Sequence, residues 1–592
     1  MCGIAGIVSR GRPAPPRSLE AMLHAMRHRG PDGSGTFHHR DVSLGHCRLA
    51  VLDPTPTGAQ PMSDSTGRYV CTFNGAIYNF RELRRTLEQQ GIRFRSTGDT
   101  EVLVEAYAAW GAAALDRLNG MFAFGIYDRT SGELFCARDR LGVKPFVYTS
   151  TADVFAFASE HKALIEAGLA GRTMSADGVY EFIAQGHVRA GNSLFEDIRA
   201  LPPGWALRVG TDRRERLWQW WRLGDGPARD TSAADHAEFI RDLLVDATRI
   251  RLRSDVPLGT HLSGGLDSSA VTAAAAVGGG RDIATFTGAF DGHARADERV
   301  WSRLVAAETG FRAIEVELDV EALAEVFLRV MWHMDEPTAG PGVLPAQLVY
   351  DATKRAGVKV VLSGHGGDEL FGGYLRHRGV YFRQVARRSG TPAQRAGAAI
   401  ELAKLATEAR GRLVRSQTVH DSDLCPDLLD RVDPEVRRRA RAGPGSFRSA
   451  AELMRWDLEH YLPGLLHAED RVSMAASIES RAPLLDYRIV EAANSIPERS
   501  HFRRCTSKPV LRDAVAPWLP RRVAERRDKR GFPTPLDRWS SRPRMTGLVR
   551  ELTHRRGGDQ VFDQAFLRRP EAMSAGQLWT VMTMQAWLAG DS

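Results

Sequence analysis

The chain has 592 residues, 43% hydrophobic and 26% charged, with 80 Lys+Arg, 72 Asp+Glu and a formal net charge of +8. The length implies at least two domains, while the ordinary globular composition excludes neither an enzyme nor a binding protein. The cationic surplus is scattered among acidic residues, so no nucleic-acid partner is expected from it.

Further bounds come from what the sequence lacks. There is no run of about 18 apolar residues, so no membrane partner is expected. "MCGIAGIVSRGRPAPP" has neither the basic start nor the apolar core of a secretory signal, and a cytoplasmic location is expected. The six cysteines, at 2, 47, 71, 136, 425 and 505, make no CxxC pair and no disulfide framework.

Residues 2–210 read as β-rich. "GIAGIVS", "YVCTFNGAIYN", "MFAFGIYD", "ELFCARD" and "VFAFASE" are short apolar or alternating strands, and "TEVLVEAYAAWG" has helical spacing. A linker is expected over 211–235, where "LGDGPARDTSAAD" is small and polar. Over 236–592 strands and helices alternate: "HAEFIRDLLVDATRIRL" is an amphipathic helix, "PLGTHLSGG" a strand entering a loop, "SSAVTAAAAV" an alanine-rich helix, and "IATFTGAF" and "VKVVLSG" buried strands. That order predicts a doubly wound parallel sheet with ligands beyond its C-terminal strand ends. Helices dominate from about 445, and "RRSGTPAQRAGAA" (387–399) reads as an exposed connection.

Cys2 becomes the first residue if Met1 is removed, and an N-terminal cysteine combines a nucleophilic thiol with an α-amine able to take its proton. Four motifs follow it: "RHRGPDG" (27–33), "HCRLAVLD" (46–53), "FNGAIYN" (73–79) and "STGDTEVL" (96–103). Together they resemble the glutamine amidotransferase domain of the N-terminal-nucleophile class, over roughly the first 200 residues. The resemblance implies an αββα sandwich in which Cys2 attacks the glutamine side-chain amide. Asn74 and Gly75 would form the oxyanion hole, Arg48 would hold the substrate α-carboxylate and Asp99 its α-ammonium, with Leu49, Val51 and Ala76 lining the glutamine site. Relatives commonly read Asn-Gly-Glu where this chain has Ala76, so a carboxylate facing glutamine is lost.

"SGGLDSS" (263–269) closes a strand and opens a helix, with glycines and hydroxyls set to surround an anion at the helix N-terminus. It lacks the Walker lysine. It resembles the pyrophosphate loop of enzymes that split ATP to AMP and pyrophosphate. "DEP" (335–337), "SGHGGDELFGGY" (363–374), "DRVSMAASIESRAPLLD" (470–486), "SKPVLR" (507–512) and "KRGFPTP" (529–535) follow. The whole arrangement resembles a glutamine-hydrolysing asparagine synthetase, nearly end to end.

That resemblance implies an adenine nucleotide α-hydrolase-like (PP-loop) sheet with a helical extension, ATP and Mg²⁺ as cofactors, and glutamine and a carboxylic acid as substrates, and it is compatible with a homodimer. Asp267 and Asp368 would hold Mg²⁺ on pyrophosphate. Leu262, Ser263, Gly264, Gly265, Ser268, Ser269, Gly288, Ser363 and Gly364 would contact the nucleotide, and Lys508 would neutralise charge on the leaving group or intermediate. Ammonia would pass through the interior to a carboxylate activated as its acyl-AMP, aspartate by default.

Three departures leave another acceptor acid open. His365 stands where asparagine synthetases usually carry glutamate and β-lactam synthetases tyrosine, and a neutral histidine accepts a proton as glutamate does. Ala468 stands where many relatives have lysine, and "GFRAIEVEL" (310–318) lacks a common histidine. A β-lactam- or macrolactam-type synthetase is a third alternative, disfavoured by the intact Cys2, Arg48, Asn74 and Asp99.

Overall fold

Alternation along strand Gly3–Ser9 decides the layering of the first unit. Ile4 and Val8 face one core and Ala5 and Ile7 another, because successive side chains leave a strand on opposite sides. The computed structural model describes residues 1–10, 17–212, 214–224, 231–290, 297–388, 391–413, 419–442, 446–503, 506–527, 543–553, 555 and 557–590. The "KRGFPTP" motif and Cys505 lie outside the described residues.

Two six-stranded antiparallel sheets face each other. The first runs Arg199–Ala200, Val147–Ser150, Val154–Ala158, Gly3–Ser9, Val42–Arg48, Gly33–His39; the second runs Glu215–Gln219, Trp205–Val209, Leu134–Arg138, Gly120–Asp128, Tyr69–Ile77, Met62–Ser63. Ile4, Leu44, Tyr127, Phe146, Phe155 and Phe157 fill the space between them. A Cβ at Gly6 would lie 2.0 Å from Phe157 Cε1 and one at Gly125 2.7 Å from its Cζ, so the bare backbone on both sheets admits this ring. Helices Ser18–Ala25, His161–Glu166 and Ala176–Gln185 cover one outer face, and Phe80–Gln89 and Asp99–Trp110 the other, which completes the αββα sandwich.

The second unit is a five-stranded parallel sheet ordered Arg312–Glu317, Ala284–Ala289, Leu258–His261, Val360–Leu362, Glu479–Arg481. The chain enters at the central Leu258–His261, works outward to Arg312–Glu317, and returns on the other side with Val360–Leu362. Strand order therefore reverses between Leu258–His261 and Val360–Leu362, which is the place where such sheets open a crevice for ligands. Helix Leu266–Val277 lies close to the sheet because Ala270, Ala273, Ala274 and Ala275 are buried along it.

Three segments differ from the sequence expectation. Glu215–Gln219, inside the stretch expected as linker, pairs with Trp205–Val209, and Trp218 stacks on Phe135 at 5.8 Å, so the sandwich extends past residue 210. Gly33–His39 and Val42–Arg48 are long paired strands whose glycine and histidine content hides their alternation. Most of 387–399, read as an exposed connection, is helical: Leu375–Arg388 ends there and Pro392–Leu413 begins.

The units meet through buried charges. Arg29, fully buried, donates from Nη1 to Glu160 Oε1 at 2.8 Å and to Asp470 Oδ2 at 2.8 Å, and from Nε to the Cys2 carbonyl at 3.1 Å. Lys162 bridges Glu160 and Asp335, each at 2.7 Å, and Arg471 reaches Asp335 at 3.0 Å. Burial alone would raise the Asp470 carboxyl, but Arg29 and Lys144 override it and hold it at about 2.

Removing one partner of a buried pair leaves the other charge uncompensated, at a cost of about 3–5 kcal/mol. Arg29→Met is expected to lower unfolding stability by that amount near neutral pH, read from denaturant midpoints. Because the folded pKa of Asp470 is depressed, its stabilisation is present above the ordinary value of 3.8 and lost as pH falls through about 2. A midpoint unchanged in the variant would show that Arg29 does not hold the interface.

Candidate active site

Two cavities hold most of the predicted site residues. The smaller, about 40 Å³, is lined by Cys2, Arg48, Leu49, Val51, Gly75, Ala76 and Asp99 among others. Strand pairing positions the centre: Asn74 and Gly75 lie opposite Ala123 and Phe122, and the Cys2 N–H donates to Asn74 Oδ1 at 3.0 Å. The buried Asn74 Nδ2 has no partner among the described residues. Cys2 Sγ lies 3.9 Å from the Leu49 carbonyl, and burial pushes its thiol above the ordinary range while Met1 precedes it. Gly75 has no room for a side chain, since a Cβ would lie 2.1 Å from the Met121 carbonyl.

Asp99 opens helix Asp99–Trp110, and its Oδ2 accepts the Ile77 N–H at 2.8 Å; burial raises its carboxyl to about 6. Arg48 ends strand Val42–Arg48, with its guanidinium on the Thr55 carbonyl at 2.9 Å and on the Asp53 carbonyl. Sequence reasoning missed two residues here. Glu479 and Arg481, from the edge strand of the parallel sheet, line the same cavity, with Arg481 Nε donating to Glu479 Oε1 at 2.6 Å. Only the fold brings that strand to the sandwich.

The larger cavity, about 920 Å³, opens at the switch point. Strands Leu258–His261 and Val360–Leu362 each lead into Leu-Ser-Gly, giving loops 262–268 and 362–368 side by side. Gly364 and Gly367 permit the contact: a Cβ on Gly364 would lie 2.6 Å from the Ser268 nitrogen, and one on Gly367 2.4 Å from Asp267 Oδ1. Leu262, Ser263, Asp267, Ser268, Gly288, Ser363, Gly364, His365 and Asp368 all line this cavity.

Four predicted residues do not line it. Gly264 turns at φ 72° against Trp301, Gly265 caps the following helix, and Ser269 is buried one turn inside with its hydroxyl unpartnered among the described residues. Lys508 approaches from below. Its Nζ lies 2.6 Å from Asp368 Oδ1 and also bonds Asp267 Oδ2. Burial would lower the Lys508 ammonium, but the two carboxylates override it and raise it well above the lysine range. Its backbone sits in the left-handed region at φ 53°, an uncommon conformation for a non-glycine residue.

The donor set suits a hard cation. Asp267 Oδ1 is buried without a partner among the described residues, and the two carboxylates come from separate loops. Among the described residues no three His, Cys, Asp or Glu side chains converge, so phosphate and water oxygens would complete the shell.

His365 points its Nδ1 at Ser363 Oγ, 3.0 Å away, and its Nε2 lies 3.8 Å from Glu469 Oε2. Sequence reasoning missed Glu469. It accepts from Ser480 Oγ at 2.6 Å and from the Tyr350 hydroxyl, and although burial alone would raise its carboxyl, His365, Ser480 and Tyr350 hold it below the ordinary range. Its position directly before Asp470 of a quoted motif is the only signal the sequence carries for it.

Residues 1–221 match the family model described as a glutamine amidotransferase domain, and residues 239–589 the one described as asparagine synthase. The protein is thus an ATP-dependent glutamine amidotransferase ligase. The chain belongs to the asparagine synthase family. It is 28% identical to asparagine synthetase [glutamine-hydrolyzing] 1 of Bacillus subtilis, covering 99% of this chain and 96% of that one. Asparagine synthetase [glutamine-hydrolyzing] 3 of the same organism is 30% identical over 88% and 85%. A protein named amidase chry2 from Gibberella zeae is 27% identical over 92% and 90%. Among the described residues no helix is long and apolar enough to cross a membrane.

Lys508→Met would leave Asp267 and Asp368 facing each other without their shared cation. A loss of about 3–5 kcal/mol is expected, read as a lower Tm, with Mg²⁺ restoring part of it. If the Tm does not move, the two carboxylates do not depend on Lys508.

Proposed function

We propose that the protein hydrolyses glutamine at Cys2 and uses the ammonia to amidate a carboxylic acid activated as its acyl-adenylate, releasing AMP, pyrophosphate and glutamate. One observation carries the second half: two Leu-Ser-Gly loops at the switch point converge on Lys508 with a carboxylate each. Aspartate is the family's default acceptor, and the relative named as an amidase supports keeping other acids open.

At the first centre the Cys2 sulfur attacks the side-chain amide carbon of glutamine. With Met1 removed, the Cys2 α-amine takes the thiol proton, the base that a thiol raised by burial needs. The unpartnered Asn74 Nδ2 and the Gly75 N–H supply donors where the oxyanion develops. Arg48 and Asp99 hold the α-carboxylate and α-ammonium, and Leu49, Val51 and Ala76 close the pocket. Glu479 brings to the cavity a carboxylate that Ala76 lacks.

Ammonia is largely protonated in neutral water, so it must travel where water is excluded. An apolar cluster of Leu49, Val51, Ala76, Tyr78, Met121, Ile250, Val360 and Met474 joins the Cys2 cavity to the strand that carries loop 362–368, and this is the route we assign. At the second centre Ser263, Ser268, Ser363 and Gly364, which line the crevice, cradle the phosphates at a helix N-terminus, while Leu262 and Gly288 contact the adenosine portion. Asp267 and Asp368 would hold Mg²⁺, which neutralises phosphate charge when bound. Lys508 stabilises charge on the departing pyrophosphate, and His365, oriented by Glu469, takes the proton as ammonia adds to the acyl carbon and AMP leaves.

The two chemistries separate by mutation. Cys2→Ala is expected to abolish glutamine hydrolysis and leave ammonia-dependent amidation largely intact, whereas Asp267→Asn or Asp368→Asn should suppress pyrophosphate release and spare glutamine hydrolysis. Equal loss of both activities in any folded variant contradicts the division.

His365→Ala should lower the ammonia-dependent rate by about 10²–10⁴-fold, and His365→Glu should keep measurable amidation at matched free-ammonia concentration. A rate unchanged in the alanine variant would make His365 a loop filler.

A further inference from the structure

A third cavity, of about 520 Å³, adjoins the crevice, and His187 and Tyr461 line both. Ile183 of helix Ala176–Gln185 walls it from the sandwich, and Phe447, Leu453 and Trp456 wall it from the helical extension. Its charges are already satisfied, because Arg376 pairs with Asp457 at 2.9 Å and Arg441 with Asp421. What it offers a ligand is therefore largely apolar and aromatic surface.

Two buried polar atoms of residues that line it, His187 Nε2 and Gln185 Oε1, have no partner among the described residues. His187 Nδ1 lies 3.1 Å from the Gln185 carbonyl, so its N–H donates there and Nε2 is left as an acceptor. Burial lowers the pKa of His187 and favours this neutral ring. Gln185 Nε2 donates to the Ala440 carbonyl at 3.2 Å, so Oε1 is also an acceptor. An unmet buried acceptor costs about 1–3 kcal/mol, and two on one wall call for a ligand with N–H or O–H donors.

The backbone is shaped to form this threshold. Between helices Ala450–Trp456 and Leu462–Ala475 the chain makes a π-helical turn, Asp457–Tyr461, a device frequent at functional sites, and it carries Tyr461 at its end. Gly464 then makes room for His187, since a Cβ there would lie 3.0 Å from the His187 Cβ. The ring of Tyr461 meets that of His187 edge-on at 5.6 Å.

We infer that this third cavity receives the body of the acceptor, and that this acceptor is an apolar carboxylic acid larger than aspartate, bearing an amide or hydroxyl donor for His187 and Gln185. The inference rests on the acyl-activating reading above. Aspartate would set an ammonium and a second carboxylate against a wall whose charges are already paired with one another, which burial disfavours.

ATP–pyrophosphate exchange by the full-length enzyme with Mg²⁺ tests it, using N-acetylphenylalanine, 3-phenylpropanoate and aspartate as probes. Exchange is expected in that order of efficiency, with N-acetylphenylalanine at least tenfold above aspartate. Leu453→Trp, which fills the cavity, and His187→Phe, which keeps a ring but removes the acceptor, should each raise the KM for N-acetylphenylalanine at least tenfold with the KM for ATP unchanged. Circular dichroism reports the folding of each variant, and either one suffices. Exchange with aspartate that equals or exceeds the aryl acids and ignores both substitutions overturns the inference while leaving acyl activation standing. Exchange with none of the three, in enzyme that still hydrolyses glutamine, overturns both.

Discussion

The buried guanidinium of Arg29 ties together parts of the molecule that are far apart in sequence. It holds the Cys2 carbonyl, Glu160 of the sandwich and Asp470 of the helical extension at once. A guanidinium suits this place because its planar fork satisfies several acceptors in fixed directions and stays charged when buried. Asp470 sits on helix Leu462–Ala475 beside Glu469, which turns the other way toward Tyr350, Ser480 and His365. One helical turn thus fixes the Cys2 backbone, by way of Arg29, through one carboxylate and the loop at the switch point through the next.

Burial of so much charge carries a penalty, and it is met by pairing rather than by exposure. Glu160, Asp335 and Asp470 are each surrounded by Arg29, Lys162, Lys144 or Arg471. Such networks contribute little net stability compared with apolar packing, but they are intolerant of a missing member. The consequence is geometric: the sandwich and the parallel sheet meet in one register, and in that register the edge strand Glu479–Arg481 reaches the Cys2 cavity.

The crevice at the switch point follows the same logic on a smaller scale. Two carboxylates brought close by glycine-lined loops would repel, and Lys508 sits between them. Its ammonium holds Asp267 and Asp368 together. The neighbouring aromatic cavity belongs to both units, since His187 comes from the sandwich and Tyr461 from the extension.

Much of this was legible in the sequence. Alternation marked Gly3–Ser9, Tyr69–Ile77 and Gly120–Asp128 as strands, and the serine- and glycine-rich stretches at 263–269 and 363–368 marked their loops, because side-chain periodicity and turn chemistry are local properties. What remained hidden depends on contacts between residues hundreds of positions apart. No local pattern orders the parallel strands 312–317, 284–289, 258–261, 360–362 and 479–481, and so none shows that Glu479 faces Cys2, that Glu469 stands beside His365, or that Lys508 lies between Asp267 and Asp368. Residue types and their local spacing determined which chemistries the chain carries. The tertiary structure alone decided which of those groups share a cavity, because burial and charge pairing act through space and not along the chain.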